Sequence, residues 1–212
     1  MIVTLTTWDK RIQNIPTVLN SIYDNTITPT KTVLNLSTVN FSNKILPTNI
    51  EDYIRENNIE IIWHTEDNKV WKKLLPTLQK YPNELVLSID DDFIYPNYMI
   101  EDFLETYDKY NGNHPISGND IYMDKIKYHC GCASLTNSKF YKGFYNVPKN
   151  IMEMGADDVY YTFAALKNGY TYKQSQNKYF YNLKPYNSIY KYSHCDNSIN
   201  NTIKACKEYF EI

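Results

Sequence analysis

No stretch of about 18 apolar residues occurs in the 212-residue chain, so hydropathy gives no sign of a transmembrane helix. The N-terminal segment lacks both a basic region and a long apolar one, and a secretory signal is not expected. Charge of one sign is not in excess. Lys and Arg number 22, Asp and Glu 24, for a formal net charge of −2. With no basic run either, binding to nucleic acid is not expected. Only four cysteines are present, Cys130, Cys132, Cys195 and Cys206, and without a secretion signal they are expected to be reduced. The C-x-C spacing of the first two, with no second pair, argues against structural zinc, and small buried thiols are the simpler reading. Six glycines in the whole chain build no P-loop. These absences leave a soluble, cytoplasmic protein of one domain, 1–212, long enough for a substantial core.

What is present is alternation. Residues 2–6 read as a strand. Residues 11–25 carry Ile15, Val18, Leu19 and Ile22 at the spacing of a helix with one buried face. Strands over 32–36 and 59–63 flank a weaker helix over 50–57. A helix over 70–81 buries Leu74, Leu75 and Leu78 but contains Pro76, which kinks it or restarts it. A strand over 84–89 follows, then a helix over 96–110. Strand–helix alternation of this kind specifies an α/β fold, with a mostly parallel central sheet and helices on both faces. Beyond Gly112 the pattern loosens into a smaller mixed β region, with short strands at 115–117, 121–123 and 128–134. A helix over 157–167 closes on Gly169. A last strand at 170–173 and a terminal helix over 198–209 complete the chain. Tyrosine is abundant, at 21 residues, which suits either genome composition or an aromatic surface for sugars.

The most informative feature is Asp90-Asp91-Asp92 at the end of the apolar run 85–89. Three adjacent carboxylates repel one another unless solvent or a cation neutralises them. Ligands of open α/β sheets bind beyond the carboxyl ends of strands. A divalent cation holding an anion such as a diphosphate satisfies both facts. On an extended segment Asp90 and Asp92 share one face and Asp91 takes the other.

The D-x-D motif, the first strand Val3-Thr4-Leu5-Thr6-Thr7 and the downstream Gly155-Ala156-Asp157-Asp158 resemble a GT-A (Rossmann-like) nucleotide-sugar glycosyltransferase. Lys72-Lys73-Leu74-Leu75-Pro76, followed by Ser88-Ile89-Asp90-Asp91-Asp92-Phe93-Ile94-Tyr95-Pro96, is similar to small GT-A enzymes of bacterial polysaccharide and large-virus glycan synthesis. The resemblance implies a nucleotide-binding half over about 1–110 and an acceptor half over about 111–212. It implies a nucleotide-sugar donor, UDP-linked by first expectation, and a glycan or glycoprotein acceptor. It places Thr6, Thr7 and Arg11 at the nucleoside and phosphates, with threonine hydroxyls donating to the base. Asp90 and Asp91 join them in holding the nucleotide sugar, and Lys73, rather than Lys72, neutralises the diphosphate. Asp92, Asp90 and His194 become ligands for Mn²⁺ or Mg²⁺, a mixed oxygen and imidazole set that suits Mn²⁺. Asp157 and Asp158 become the catalytic acids, Asp158 ahead of Asp157, acting on the acceptor hydroxyl. Without the resemblance, Asp157 reads simply as a helix cap. The small-residue segment His129-Cys130-Gly131-Cys132-Ala133-Ser134 would let backbone approach the donor sugar.

Two other functional classes were weighed on the residues. An aspartyl-phosphate hydrolase would carry a hydroxyl or valine at the position of Ile94. A nucleotidyltransferase would carry a glycine-rich basic signature, which the chain lacks. A non-catalytic, metal-dependent sugar-binding module is the remaining alternative.

Overall fold

A computed structural model of the chain describes residues 1–123, 126–176 and 198–212. Seven strands form one sheet: β1 (Ile2–Thr6), β2 (Lys31–Ser37), β3 (Glu60–His64), β4 (Val86–Ile89), β5 (Ile116–Met123), β6 (Ile126–Thr136) and β7 (Lys173–Gln174), in the order β3-β2-β1-β4-β6-β5-β7. The first four strands are parallel, β6 runs antiparallel to both β4 and β5, and β7 is parallel to β5. The helices are α1 (Ile15–Tyr23), α2 (Thr48–Glu56), α3 (Leu75–Lys80), α4 (Met99–Lys109), α5 (Lys149–Met154), α6 (Asp157–Lys167) and α7 (Ser198–Phe210). This is the expected α/β architecture with an antiparallel region in its second half.

Two cores lie on opposite faces of the sheet, and strand alternation sorts the side chains between them. In β1, Val3 and Leu5 join Val18, Leu19, Ile22, Leu34, Met99 and Phe103, beneath α1, α2 and α4. Ile2 joins Val33, Trp71, Leu78, Tyr160, Phe163 and Phe210, beneath α3, α6 and α7. Each full burial of such a side chain contributes about 1.5–3 kcal/mol, so these two layers carry most of the fold.

Several boundaries differ from the sequence expectation. The segment over 70–81 is not one helix. A 3₁₀ turn, Lys69–Lys72, precedes α3, and Pro76 sits in the first turn of α3, where its missing N–H costs nothing. The two short strands expected between 115 and 123 are one, β5 (Ile116–Met123), and the expected last strand moves to Lys173–Gln174. The short helix α5 had no strong period to announce it. It ends on Gly155 at φ 78°, a conformation that favours glycine and turns the chain sharply into α6.

Chain order fixes where a ligand can sit. The strands proceed from β1 outward to β2 and β3, and the chain then returns to place β4 on the other side of β1. In open α/β sheets the connections on either side of such a switch point diverge, and ligands sit at the strands' carboxyl ends there. The residues that flank the switch point are Thr6-Thr7 at the end of β1 and Asp90-Asp91-Asp92 after β4.

Candidate active site

β4 ends at Ile89, and Asp91 and Asp92 lie in a turn. The strand alternation expected for Asp90 and Asp92 therefore stops one residue too early. Asp91 turns inward and Asp92 shares a cation with it. Arg11 Nη1 stands 2.6 Å from Asp91 Oδ1 and 3.2 Å from Asp92 Oδ2. Thr7 Oγ1 donates to Asp91 Oδ2 at 2.6 Å, and Asn14 Nδ2 donates to the Asp91 carbonyl at 3.3 Å. Asp91 is thus the anchor between the loop after β1 and the turn after β4. Burial raises its pKa, opposed by the Arg11 charge and the Thr7 hydrogen bond.

Asp90 takes a different partner. Lys73 Nζ lies 2.8 Å from Asp90 Oδ1 and 3.8 Å from Asp157 Oδ2. Lys72, one residue earlier, pairs with Asp67 instead. Burial alone would lower the Lys73 pKa, but Asp157 and then Asp90 outweigh it, and the ammonium stays charged. Asp157 is nevertheless pushed up, by burial first, because one ammonium serves two carboxylates and sits closer to Asp90; Asp158 adds to the upward push. Asp157 is the buried member of the Asp157-Asp158 pair. It is not the N-cap of α6, which is Ala156; in the first turn its carboxylate accepts from the Asp158 backbone, and Asp158 Oδ1 accepts from Val159 N at 2.9 Å.

The threonines expected to donate toward a base donate inward. Thr6 Oγ1 gives its proton to the Asn35 carbonyl at 2.8 Å, and Thr7 gives its to Asp91. Their hydroxyls lock the loop, and both protons are spent within the protein. His194 lies outside the described residues. The segment from His129 to Ser134 lies within β6, where Ala133 pairs with Ile89.

Tyr95 is a site residue that patterning missed. Its buried hydroxyl accepts from the Asp90 N–H at 2.9 Å and donates to the Cys132 carbonyl at 2.6 Å. It pins the acidic turn to β6. Its position before Pro96, which biases it to extended backbone, was the only signal, and that signal says nothing about the hydroxyl.

Whether these residues suit a divalent cation can be judged from charge. Asp90 and Asp92 keep side-chain exposures of 30% and 16%, while Asp91 is sealed. Asp92 is pushed up to about 6 by burial and then by the charge of Asp90, with Arg11 opposing. Excess negative charge of this kind is what a cation relieves. No group of three or more His, Cys, Asp or Glu is disposed to hold a metal among the described residues. A site that supplies two carboxylates and leaves the remaining positions to phosphate oxygens and water fits Mg²⁺-type chemistry. No helix among the described residues is long and apolar enough to cross a membrane.

No family model and no curated protein matches the chain. Solved structures do. The mannosyltransferase PcManGT from Pyrobaculum calidifontis, in complex with GDP-Man and Mn²⁺, superposes with a TM-score of 0.63 at 14% identity, covering 100% of this chain and 69% of its own. S. aureus TarS 1-349 in complex with UDP gives 0.59 at 16% identity, over 85% of this chain and 59% of its own. TarS 1-349 without that ligand named gives 0.62 at 14% identity, over 98% and 64%. The chain therefore spans about three fifths to two thirds of these proteins. Likeness at such identities shows a shared fold, the GT-A architecture.

Proposed function

We propose that the protein is a metal-dependent glycosyltransferase that moves a sugar from a nucleoside diphosphate sugar to a hydroxyl of a glycan or glycoprotein acceptor. The observation that carries this reading is the meeting of Asp90 and Asp157 at one buried ammonium, Lys73, beside Asp92 on its Arg11 partner, at the switch point of the sheet. The shared fold supports it: one neighbour is a complex with GDP-Man and Mn²⁺, another a complex with UDP.

Asp90 and Asp92 would hold Mn²⁺ or Mg²⁺, with His194 as a further candidate ligand. When bound, the ion would supply positive charge to the departing diphosphate. Thr6, Thr7, Arg11 and Asp91 form the loop and turn beneath the nucleotide, Asp91 acting as their anchor. Lys73 holds Asp90 and Asp157 in register and adds its charge on the diphosphate side. Asp157, pushed up by burial, is placed to accept the proton of the acceptor hydroxyl, and Asp158 to orient that acceptor. UDP is the first donor nucleotide to test.

The reading is tested by calorimetric binding of nucleoside diphosphates and their sugars, with and without Mn²⁺, to wild type and Asp92→Ala. Binding that requires both the metal and Asp92 is the expected result. Binding indifferent to both would return the acidic turn to a structural role.

A further inference from the structure

A chain of hydrogen bonds beneath the candidate nucleotide loop fixes the protonation of one histidine. Thr4 Oγ1 donates to the Lys73 carbonyl at 2.8 Å. With its proton spent, it accepts from the Thr77 hydroxyl at 2.7 Å and from Asn35 Nδ2 at 3.1 Å. Asn35 Nδ2 also lies 3.2 Å from Thr77 Oγ1. With both hydroxyl protons spent, the Asn35 atom facing the two threonines must be the donor nitrogen, which assigns the orientation of the amide. The atom left facing His64 Nε2, at 3.0 Å, is therefore Oδ1. An amide oxygen only accepts, so Nε2 carries the proton.

The other ring nitrogen follows. Burial, and then the Lys72 charge, lower the His64 pKa. In the neutral ring Nδ1 is a bare acceptor. Among the described residues Nδ1 has no hydrogen-bond partner, and the ring is only partly buried. His64 ends β3, opposite Ser37 at the end of β2, and the Thr38 N–H meets the His64 carbonyl at 2.8 Å. His64 thus stands at the carboxyl ends of the parallel strands, with its ring partly open. It is tied to the acidic turn through a single residue, Lys73, whose carbonyl anchors Thr4 and whose ammonium holds Asp90. With the protons of Thr6 and Thr7 committed inward, His64 offers a neutral, oriented ring acceptor.

Resting on the nucleotide-sugar reading above, we infer that His64 reads the base of the donor and selects one that carries a ring N–H, as uracil and guanine do. Cytosine and adenine present a ring lone pair at the equivalent edge position, and two acceptors then face each other. Leaving such a pair unmade costs more than the hydrogen bond itself is worth.

The test is calorimetric binding of UDP, GDP, CDP and ADP, each with Mn²⁺, to wild type, His64→Phe and Asp92→Ala, with circular dichroism to check the fold of each variant. Imidazole ¹⁵N resonances of the wild type, alone and with each nucleotide, give a readout that needs no variant. UDP or GDP should bind wild type about tenfold or more tighter than CDP and ADP. His64→Phe should bring all four to within about threefold while CDP and ADP binding is retained. The free protein should show the Nε2–H tautomer, with Nδ1 shifting on addition of the preferred nucleotide. A preference that survives in His64→Phe, a wild-type preference for CDP or ADP, or an Nδ1–H tautomer would overturn the inference. Equal binding of all four that still requires Mn²⁺ and Asp92 overturns the base reading alone. No nucleotide binding at all overturns the donor-site reading and this one with it.

Discussion

Lys73 and Asp90 form a direct ion pair, Nζ to Oδ1 at 2.8 Å, with the lysine side chain only 7% exposed. The same ammonium faces Asp157 at 3.8 Å. Removing it leaves the buried Asp157 and the partly exposed Asp90 without their shared cation. Lys73→Met should cost about 3–5 kcal/mol in urea unfolding at neutral pH. Lys73→Arg should recover part of that loss. A Lys73→Met protein as stable as wild type would show that both carboxylates reach solvent.

Asp92 behaves in the opposite sense. Its carboxyl is raised from 3.8 to about 6, so in the metal-free protein its ionisation opposes folding. The native state binds more protons than the unfolded state between those values, and stability falls as pH rises through that window. Asp92→Asn, assayed in chelator, should therefore be more stable than wild type at pH 7 by about 1–2 kcal/mol, since loss of the Arg11 contact offsets part of the gain. At pH 3.5 the difference should vanish. The same variant should lose metal-dependent nucleotide binding, a trade of function for stability. Equal denaturation midpoints at pH 7 would refute the strained carboxylate.

Tyr95 holds the turn through one hydroxyl. Tyr95→Phe keeps the ring and removes the partner of the Asp90 N–H and of the Cys132 carbonyl. A loss of about 1–3 kcal/mol is expected, with weakened Mn²⁺-dependent nucleotide affinity because Asp90 loses its backbone anchor. If calorimetry finds the affinity unchanged, the turn is held well enough by Thr7, Arg11, Asn14 and Lys73 without the tyrosine hydroxyl.

Far from the site, Glu60 on β3 accepts from Lys80, Tyr81 and Lys31 at 2.7, 2.6 and 2.9 Å. Burial opposes its charge, but these bonds outweigh burial and hold its carboxyl down at about 2. A depressed carboxylate contributes stability that is present above its unfolded value of 4.5 and lost as pH falls toward 2. Acid unfolding followed by circular dichroism should show Glu60→Gln less stable than wild type above pH 5, the gap closing as the pH drops toward 2. A gap of constant size would assign the effect to packing.

The strand–helix alternation was legible because each element buries one face, and burial writes its period into the chain. The span of α6, Asp157–Lys167, and the bounds of β1 follow directly from that pattern. The acidic turn was legible for a related reason, since three carboxylates after an apolar strand have few physical explanations. What the pattern misjudged was reach. The alternation of Asp90 and Asp92 fails because β4 stops at Ile89, and no local rule says where a strand yields to a turn.

Sequence alone determined the architecture of this protein, the acidic cluster and the crevice it borders, because periodicity and charge repulsion act between near neighbours along the chain. Only the tertiary structure decided which atoms face which. Arg11 meets Asp91 across 80 residues, Lys73 meets Asp157 across the site, and Asn35 fixes the proton on His64 from the adjacent strand. Those choices depend on which strands lie side by side and where each turn begins, and hydrogen bonds a few ångströms long record nothing of themselves in a linear sequence.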